Sequence, residues 1–180
     1  NLEEASKHYR QAIALNISPE ESTKLAKVSD RTSRRLADRD IKDNSEAAQI
    51  YLQQAIAYCE QRCWEKAIAA CENAVGIVPE MATAYKVWGN ALQQMGKAPE
   101  AMGYYAKALE IEPDLAEAYA NLGSLYAGQK KWQQAIEYYQ KAIEINPKFA
   151  GAYRNLGKVW EKVGNSEQIQ ECHYRAIDLE

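Results

Sequence analysis

Residues 119–147 read YANLGSLYAGQKKWQQAIEYYQKAIEINP, and this stretch decides the fold of the chain. Its first half places Tyr119, Leu122 and Tyr126 at spacings of three and four residues, which puts them on one stripe of a helix. The second half carries a similar stripe on a second helix. Pro147 has no amide hydrogen, so the second helix should end there. The stretch therefore predicts two helices folded back on each other as a hairpin.

Small residues mark where the two helices should approach most closely. Gly123, Ala135 and Ala142 carry little or no side chain at the positions where the stripes meet. Apolar residues remain on more than one side of the hairpin, so a single hairpin cannot bury all of them. Stacking of neighbouring hairpins would cover these faces, which is the arrangement of repeat proteins.

The same pattern returns every 34 residues over most of the chain. The recurring columns are Tyr51, Tyr85, Tyr119 and Tyr153; Pro79, Pro113 and Pro147; Ala74, Ala108, Ala142 and Ala176; and Ala55, Gly89, Gly123 and Gly157. Four independent columns with one period indicate an internal repeat of paired helices. They predict four units, at 48–81, 82–115, 116–149 and 150–180.

The stretch 119–147 resembles the tetratricopeptide repeat motif almost residue for residue, and the resemblance extends over 48–180. It implies an all-α fold, a right-handed solenoid of antiparallel helix hairpins. It also implies a non-catalytic scaffold that binds a peptide or a partner protein in a concave groove lined by the first helix of each hairpin. Two alternatives stay open: a targeting arm of a larger glycosyltransferase- or methyltransferase-type enzyme, and a self-assembling structural module.

Six polar residues fall at positions that the family uses to line its groove. They are Lys86, Asn90, Asn121, Arg154, Asn155 and Lys158. Apart from Asn155, these residues resemble the two-carboxylate clamp of chaperone-binding members, which implies a peptide with an acidic C-terminus as the partner. The last basic pair is reversed here, with Arg154 before Lys158, and a guanidinium and an ammonium hold carboxylates differently. The alternative interpretation is a set of solvated charges that keep the groove soluble.

The asparagines allow a second interpretation of the groove. Asn121 and Asn155 resemble the asparagine ladder in the arm of O-linked N-acetylglucosamine transferase, where side-chain amides hold an extended peptide backbone. An amide can donate and accept hydrogen bonds at once, which suits main-chain groups. The ladder is incomplete in this chain, because Gln53 and Val87 occupy the equivalent places.

The first 47 residues depart from the repeat. Residues 1–16 resemble the second helix of a truncated repeat, which together with a start at Asn1 suggests a fragment of a longer chain. Residues 17–47 break the period, and Ser18 followed by Pro19 and two glutamates predicts the start of a helix. The balanced charges there are typical of a solvated helix or linker. A regulatory segment that folds over the groove is the alternative.

The last repeat is also atypical, as terminal repeats often are. Ile169 stands where the other repeats have alanine, and no solvating helix follows Glu180. We therefore expect the face that carries Ile169, Tyr174 and Ile177 to be incompletely covered and to take part in self-association.

Composition and motifs narrow the classes of function. With 22 basic and 25 acidic side chains, the net charge of -3 does not favour a nucleic-acid partner. No apolar run reaches the roughly 18 residues that would cross a membrane, and the first residues given do not show the charged-then-apolar pattern of a secretory leader. The four cysteines show no metal-ligand spacing, so we expect no metal and reduced thiols, which favours the cytoplasm. Without a phosphate-binding glycine loop or a nucleophile–base pair, we predict no enzyme activity and no cofactor.

Overall fold

A computed structural model of the protein describes residues 44–179. In this range the chain is all-helical and contains no strand. The helices are α1 (44–60), α2 (Trp64–Ile77), α3 (Ala82–Gln94), α4 (Ala98–Ile111), α5 (Ala116–Gly128), α6 (Trp132–Ile145), α7 (Ala150–Val163) and α8 (Ser166–Asp178). The prediction of at least eight helices without a strand is confirmed over this range. The predictions for 1–16 and 17–43 fall outside the described residues.

The eight helices pair in chain order into four hairpins, and the second helix of a hairpin packs against the first helix of the next. By backbone contacts the chain divides between Glu46 and Ala47, and the hairpins form the C-terminal unit. Helices α2, α4 and α6 each end two residues before the recurring proline. The stack is the tetratricopeptide-like helical solenoid expected from the sequence.

Each of the four hairpins turns through one residue in the left-handed backbone region. The turn residues are Arg62 (φ 58°), Gly96 (φ 77°), Lys130 (φ 60°) and Gly164 (φ 84°). They recur at 34-residue steps, so the turn geometry is repeated even where the residue type is not. A side chain in this region costs about 1–2 kcal/mol, and glycine avoids that cost. Packing of the two helices therefore holds the backbone in this conformation at Arg62 and Lys130.

Inside the hairpins, a missing side chain on the first helix makes room for a large one on the second. A Cβ atom added to Gly89 would lie 2.7 Å from Cε1 of Tyr105, whose side chain is 0% exposed. One repeat later, a Cβ atom on Gly123 would lie 3.1 Å from the ring of Tyr139. The prediction that Gly123 marks a close helix contact is therefore confirmed.

The first and last hairpins have other pairs of residues at this contact between their two helices. In the first hairpin the equivalent residues are Ala55 and Cys71, both fully buried in one apolar cluster. In the last hairpin, a Cβ atom on Gly157 would meet Cβ of Cys172 at 3.3 Å. The first hairpin thus has alanine on the first helix and cysteine on the second, whereas the two central hairpins have glycine and tyrosine.

Helix α8 is covered on one side only. Cys172 and Ala176 are buried against α7, while Tyr174 is 72% exposed and Ile177 is 73% exposed. Ile169, which we expected on the same uncovered face, is half-buried. The exposed apolar surface of this helix therefore centres on Tyr174 and Ile177.

Candidate functional site

The first helices of neighbouring repeats touch each other along one side of the stack. We call this side, formed by α3, α5 and α7, the groove face. At the junction of α3 and α5, Nδ2 of Asn121 donates a hydrogen bond to Oδ1 of Asn90 over 2.7 Å. Two of the six residues predicted for the groove are therefore in direct contact. They link two repeats.

A buried tyrosine reaches the same amide from the second helix of the hairpin. The hydroxyl oxygen of Tyr105 on α4 lies 2.8 Å from Oδ1 of Asn90 and 2.7 Å from Oε1 of Gln93. The tyrosine ring crosses α3 at Gly89, where no side chain blocks it. Burial, with a smaller contribution from the nearby Cys59, raises the pKa of Tyr105. The hydroxyl therefore keeps its proton at physiological pH.

The next repeat has the same tyrosine with a different partner. The hydroxyl of Tyr139 on α6 lies 2.8 Å from Oγ of Ser124, and either oxygen could donate the proton. Burial raises the pKa of Tyr139, although its bond to Ser124 acts in the opposite direction. Equivalent tyrosines thus form a hydrogen bond with a side-chain amide in one repeat and with a hydroxyl in the next.

The other four predicted residues lie on the first helices but not at this amide pair. Lys86 is half-buried on α3, one helical turn before Asn90. On α7, Asn155 is half-buried, while Arg154 and Lys158 are exposed. Within residues 44–179 no hydrogen bond joins these four side chains to Asn90 or Asn121. The structure brings the two asparagines together and places the three cations elsewhere, with Lys86 on α3 and Arg154 and Lys158 on α7.

Sequence reasoning missed Tyr105 and Gln93 as parts of the site. Tyr105 belongs to the aromatic column on the second helix, which looks like ordinary core. Glycine at position 89 was the available signal, because a glycine inside a helix leaves a notch through which a facing side chain can pass. The partners are 15 and 12 residues apart in sequence, so helical periodicity alone does not pair them.

Three of the four thiols lie in surroundings that raise their pKa. No group of three or more histidine, cysteine, aspartate or glutamate side chains among the described residues could hold a metal ion. Burial raises the pKa of Cys59, Cys71 and Cys172, and the pKa of Cys71 reaches about 12. Thiols with raised pKa are poor nucleophiles because little thiolate is present. None of the helices between residues 44 and 179 is long and apolar enough to cross a membrane.

Family models match the central and C-terminal repeats. A model described as tetratricopeptide repeat matches residues 116–149, and a second with that description matches 138–171. A model described as TPR repeat matches residues 89–130. Together the three matches run from 89 to 171 and include the asparagine pair of the groove face.

Solved structures share the fold at low sequence identity. The crystal structure of MamA is 23% identical with a TM-score of 0.65, over 91% of this chain and 95% of that one. PilF of Pseudomonas aeruginosa is 24% identical with a TM-score of 0.71, over 76% of this chain and 63% of that one. The first TPR of Spaghetti (RPAP3), bound to the HSP90 peptide SRMEEVD, is 18% identical with a TM-score of 0.62, over 67% of this chain and 96% of that one.

The comparisons agree with the geometry of the hairpins. A search of curated protein sequences finds no match. Identities below 25% show the fold alone, and that fold is the same stack of paired helices in each of the three structures. With the family models matched over residues 89–171, this part of the chain is made of tetratricopeptide repeats.

Proposed function

We propose that the chain is a non-catalytic scaffold whose groove face binds an extended peptide ending in a carboxylate. The observation that carries the proposal is the hydrogen bond between Asn90 and Asn121, which puts two side-chain amides at the junction of two repeats. Amides suit the main-chain groups of a peptide. Lys86 on one flank and Arg154 with Lys158 on the other suit its carboxylates, since charge-assisted hydrogen bonds are the strong ones.

One structural neighbour supports this ligand chemistry by analogy. The peptide bound to the first TPR of Spaghetti (RPAP3), SRMEEVD, contains two glutamates and ends in aspartate. Its groove and this one belong to the same fold, although fold alone does not determine a ligand. The analogy therefore selects a probe for the experiment, and the cations of this chain supply the physical reason to use it.

The test is calorimetric titration with SRMEEVD as the free acid and as the C-terminal amide. We expect the free acid to bind at least about tenfold more tightly, because amidation removes one carboxylate from a charge-assisted bond. The double variant Lys86→Ala with Arg154→Ala should weaken binding of the free acid by roughly thirtyfold or more. Lys141→Ala is the matched control, since Lys141 lies on a second helix and pairs with Glu144 over 2.8 Å.

Two results would contradict the proposal. Equal affinity for the acid and the amide would mean that the terminal carboxylate makes no contact. An equal loss in Lys141→Ala and in the double variant would mean that the effect is one of net charge. A targeting arm of a larger enzyme would use the same groove, so only the sequence of the full-length gene product separates it from a free-standing adaptor. The four free thiols are in keeping with a cytoplasmic location.

A second candidate function is self-association through α8. Tyr174 and Ile177 expose most of their apolar surface, and such patches commonly mark interfaces. We expect the mass measured by light scattering after gel filtration to rise with protein concentration. Tyr174→Ser with Ile177→Ser should abolish the rise, whereas Ile50→Ser, which changes an exposed apolar residue on α1, should not. A constant monomer mass in the unmodified protein excludes this function.

A further inference from the structure

The amide of Asn90 is turned in a defined direction. Its Oδ1 atom lies 2.7 Å from Nδ2 of Asn121 and 2.8 Å from the hydroxyl oxygen of Tyr105. A carbonyl oxygen has two lone pairs, so these two donors satisfy it. What Asn90 can still offer a ligand is its Nδ2 atom with two N–H groups.

The Nδ2 atom of Asn90 is open to solvent. Among residues 44–179, the one buried side-chain nitrogen or oxygen without a hydrogen-bond partner is Nε1 of Trp160. Asn90 Nδ2 has no partner in that range either, so it is accessible. Its N–H groups therefore keep their hydrogen-bonding capacity for water or a ligand.

Gln93 is a second acceptor behind this amide. The hydroxyl of Tyr105 lies 2.8 Å from Oδ1 of Asn90 and 2.7 Å from Oε1 of Gln93, so its one proton is shared between two carboxamide oxygens. Both carboxamides turn an oxygen towards the phenol, which leaves the N–H groups of Asn90 for other partners.

We propose that the buried hydroxyl of Tyr105 is a positioning group that fixes the hydrogen-bond polarity of the groove face. It holds Asn90 with oxygen inward and N–H outward, so that this point of the groove binds acceptors and rejects donors. A carboxylate or a main-chain carbonyl of a peptide is the matching ligand group. The inference rests on the proposed function for its ligand and adds the reason why an acidic peptide would be preferred at the asparagines.

Tyr139 provides an internal comparison. It occupies the equivalent place in the next repeat, is also buried, and its hydroxyl forms a hydrogen bond with the hydroxyl of Ser124. The hydroxyl of Ser124 can rotate and can donate or accept, so this pair fixes no polarity. Removing the Tyr139 hydroxyl deletes its part-buried hydrogen bond with Ser124, and removing the Tyr105 hydroxyl deletes its contacts with Asn90 and Gln93, but only the loss at Tyr105 should release an amide of the groove.

The experiment compares Tyr105→Phe with Tyr139→Phe in two measurements. The first is the side-chain amide region of the ¹⁵N NMR spectrum without peptide. We expect the Asn90 and Asn121 resonances to shift in Tyr105→Phe and to keep their positions in Tyr139→Phe. The second is the affinity for SRMEEVD free acid, which should fall about tenfold in Tyr105→Phe and by less than about twofold in Tyr139→Phe.

A third variant tests the polarity itself. Asn90→Asp keeps an oxygen for Tyr105 and Asn121 but replaces the outward N–H groups with a second oxygen. We expect it to lose at least as much affinity for the free acid as Tyr105→Phe, although every hydrogen bond behind the groove can still form. Retention of full affinity by Asn90→Asp would overturn the proposal.

Different results would contradict the proposed function and the positioning role of Tyr105. If SRMEEVD does not bind the unmodified protein, the proposed function is wrong, and the NMR comparison alone decides whether Tyr105 positions Asn90. Unshifted asparagine amides in Tyr105→Phe would overturn the positioning role whatever the affinities. Equal losses of affinity in the two phenylalanine variants would do the same, since they would reflect a general loosening of the hairpins.

Discussion

Gly89→Ala should destabilise the protein by about 1–3 kcal/mol, although alanine is the better helix former by about 1 kcal/mol. The added Cβ atom would lie 2.7 Å from the ring of Tyr105, closer than van der Waals contact allows. The ring has little freedom to move away, because it is wholly buried and its hydroxyl is bonded at two oxygens. The free energy of unfolding from urea denaturation measures the effect.

Gly103→Ala is the matched control for this prediction. Gly103 also lies inside a helix, but a Cβ atom there meets nothing within 4 Å. We expect the substitution to stabilise the protein by about 0.5–1 kcal/mol through helix propensity. If Gly89→Ala stabilised the protein as Gly103→Ala does, the close contact between α3 and α4 would not exist.

A double variant should recover part of the loss. Tyr105→Cys alone empties a large volume and should cost about 3 kcal/mol or more. Gly89→Ala with Tyr105→Cys places in the second hairpin the pair that Ala55 and Cys71 form in the first. We expect the double variant to be more stable than Tyr105→Cys alone, because the added methyl group fills space instead of meeting a ring. Strictly additive losses would contradict this size matching.

A second large effect is expected in alkaline solution, where the protein should lose stability above about pH 9. Burial, and then the nearby Cys59, raises the pKa of Cys71 from 9.0 to about 12. The folded protein holds this proton after the unfolded chain has released it. The contribution to stability is therefore fully present below pH 9 and is lost as the pH rises towards 12.

The size of the alkaline effect follows from the same shift in pKa. Between the pKa of the unfolded chain and that of the folded protein, each pH unit lowers the free energy of unfolding by about 1.4 kcal/mol for one proton. The loss is therefore about 3 kcal/mol between pH 9 and about pH 11. Urea unfolding at a series of pH values measures the slope. Cys71→Ala should reduce the slope of the free energy of unfolding against pH by the amount that corresponds to about one proton. The buried tyrosines with raised pKa continue to contribute to the remaining slope. An unchanged slope in Cys71→Ala would rule out the buried thiol as the cause.

The fold could be predicted from the sequence because the same packing constraints act four times. Gly123 and its facing aromatic show the reason: the contact admits only a small residue on one helix, so the period remains visible. The backbone conformation of the turns was harder to predict from the sequence. Gly96 and Gly164 fit a left-handed turn, but Arg62 and Lys130 give no sign of one, since packing imposes that backbone on them.

The candidate site was predictable only by residue type and helix. Family positions selected Asn90 and Asn121, which lie 31 residues apart and so occupy different positions of their repeats. The direction in which an amide turns depends on a partner on another helix. Tyr105 supplies it through the notch at Gly89, and helical periodicity within one helix does not show which residue of another helix it contacts.

The size matching inside hairpins limits how such a chain can be rearranged by recombination. A crossover in the turn between α3 and α4 could join the first helix of one hairpin to the second helix of another. Tyr105 would then face Ala55, or Cys71 would face Gly89, leaving a clash in one product and a void in the other. A crossover between hairpins keeps each pair with its own partner. Exchange between the first hairpin and either central hairpin should therefore be tolerated only when whole hairpins move together.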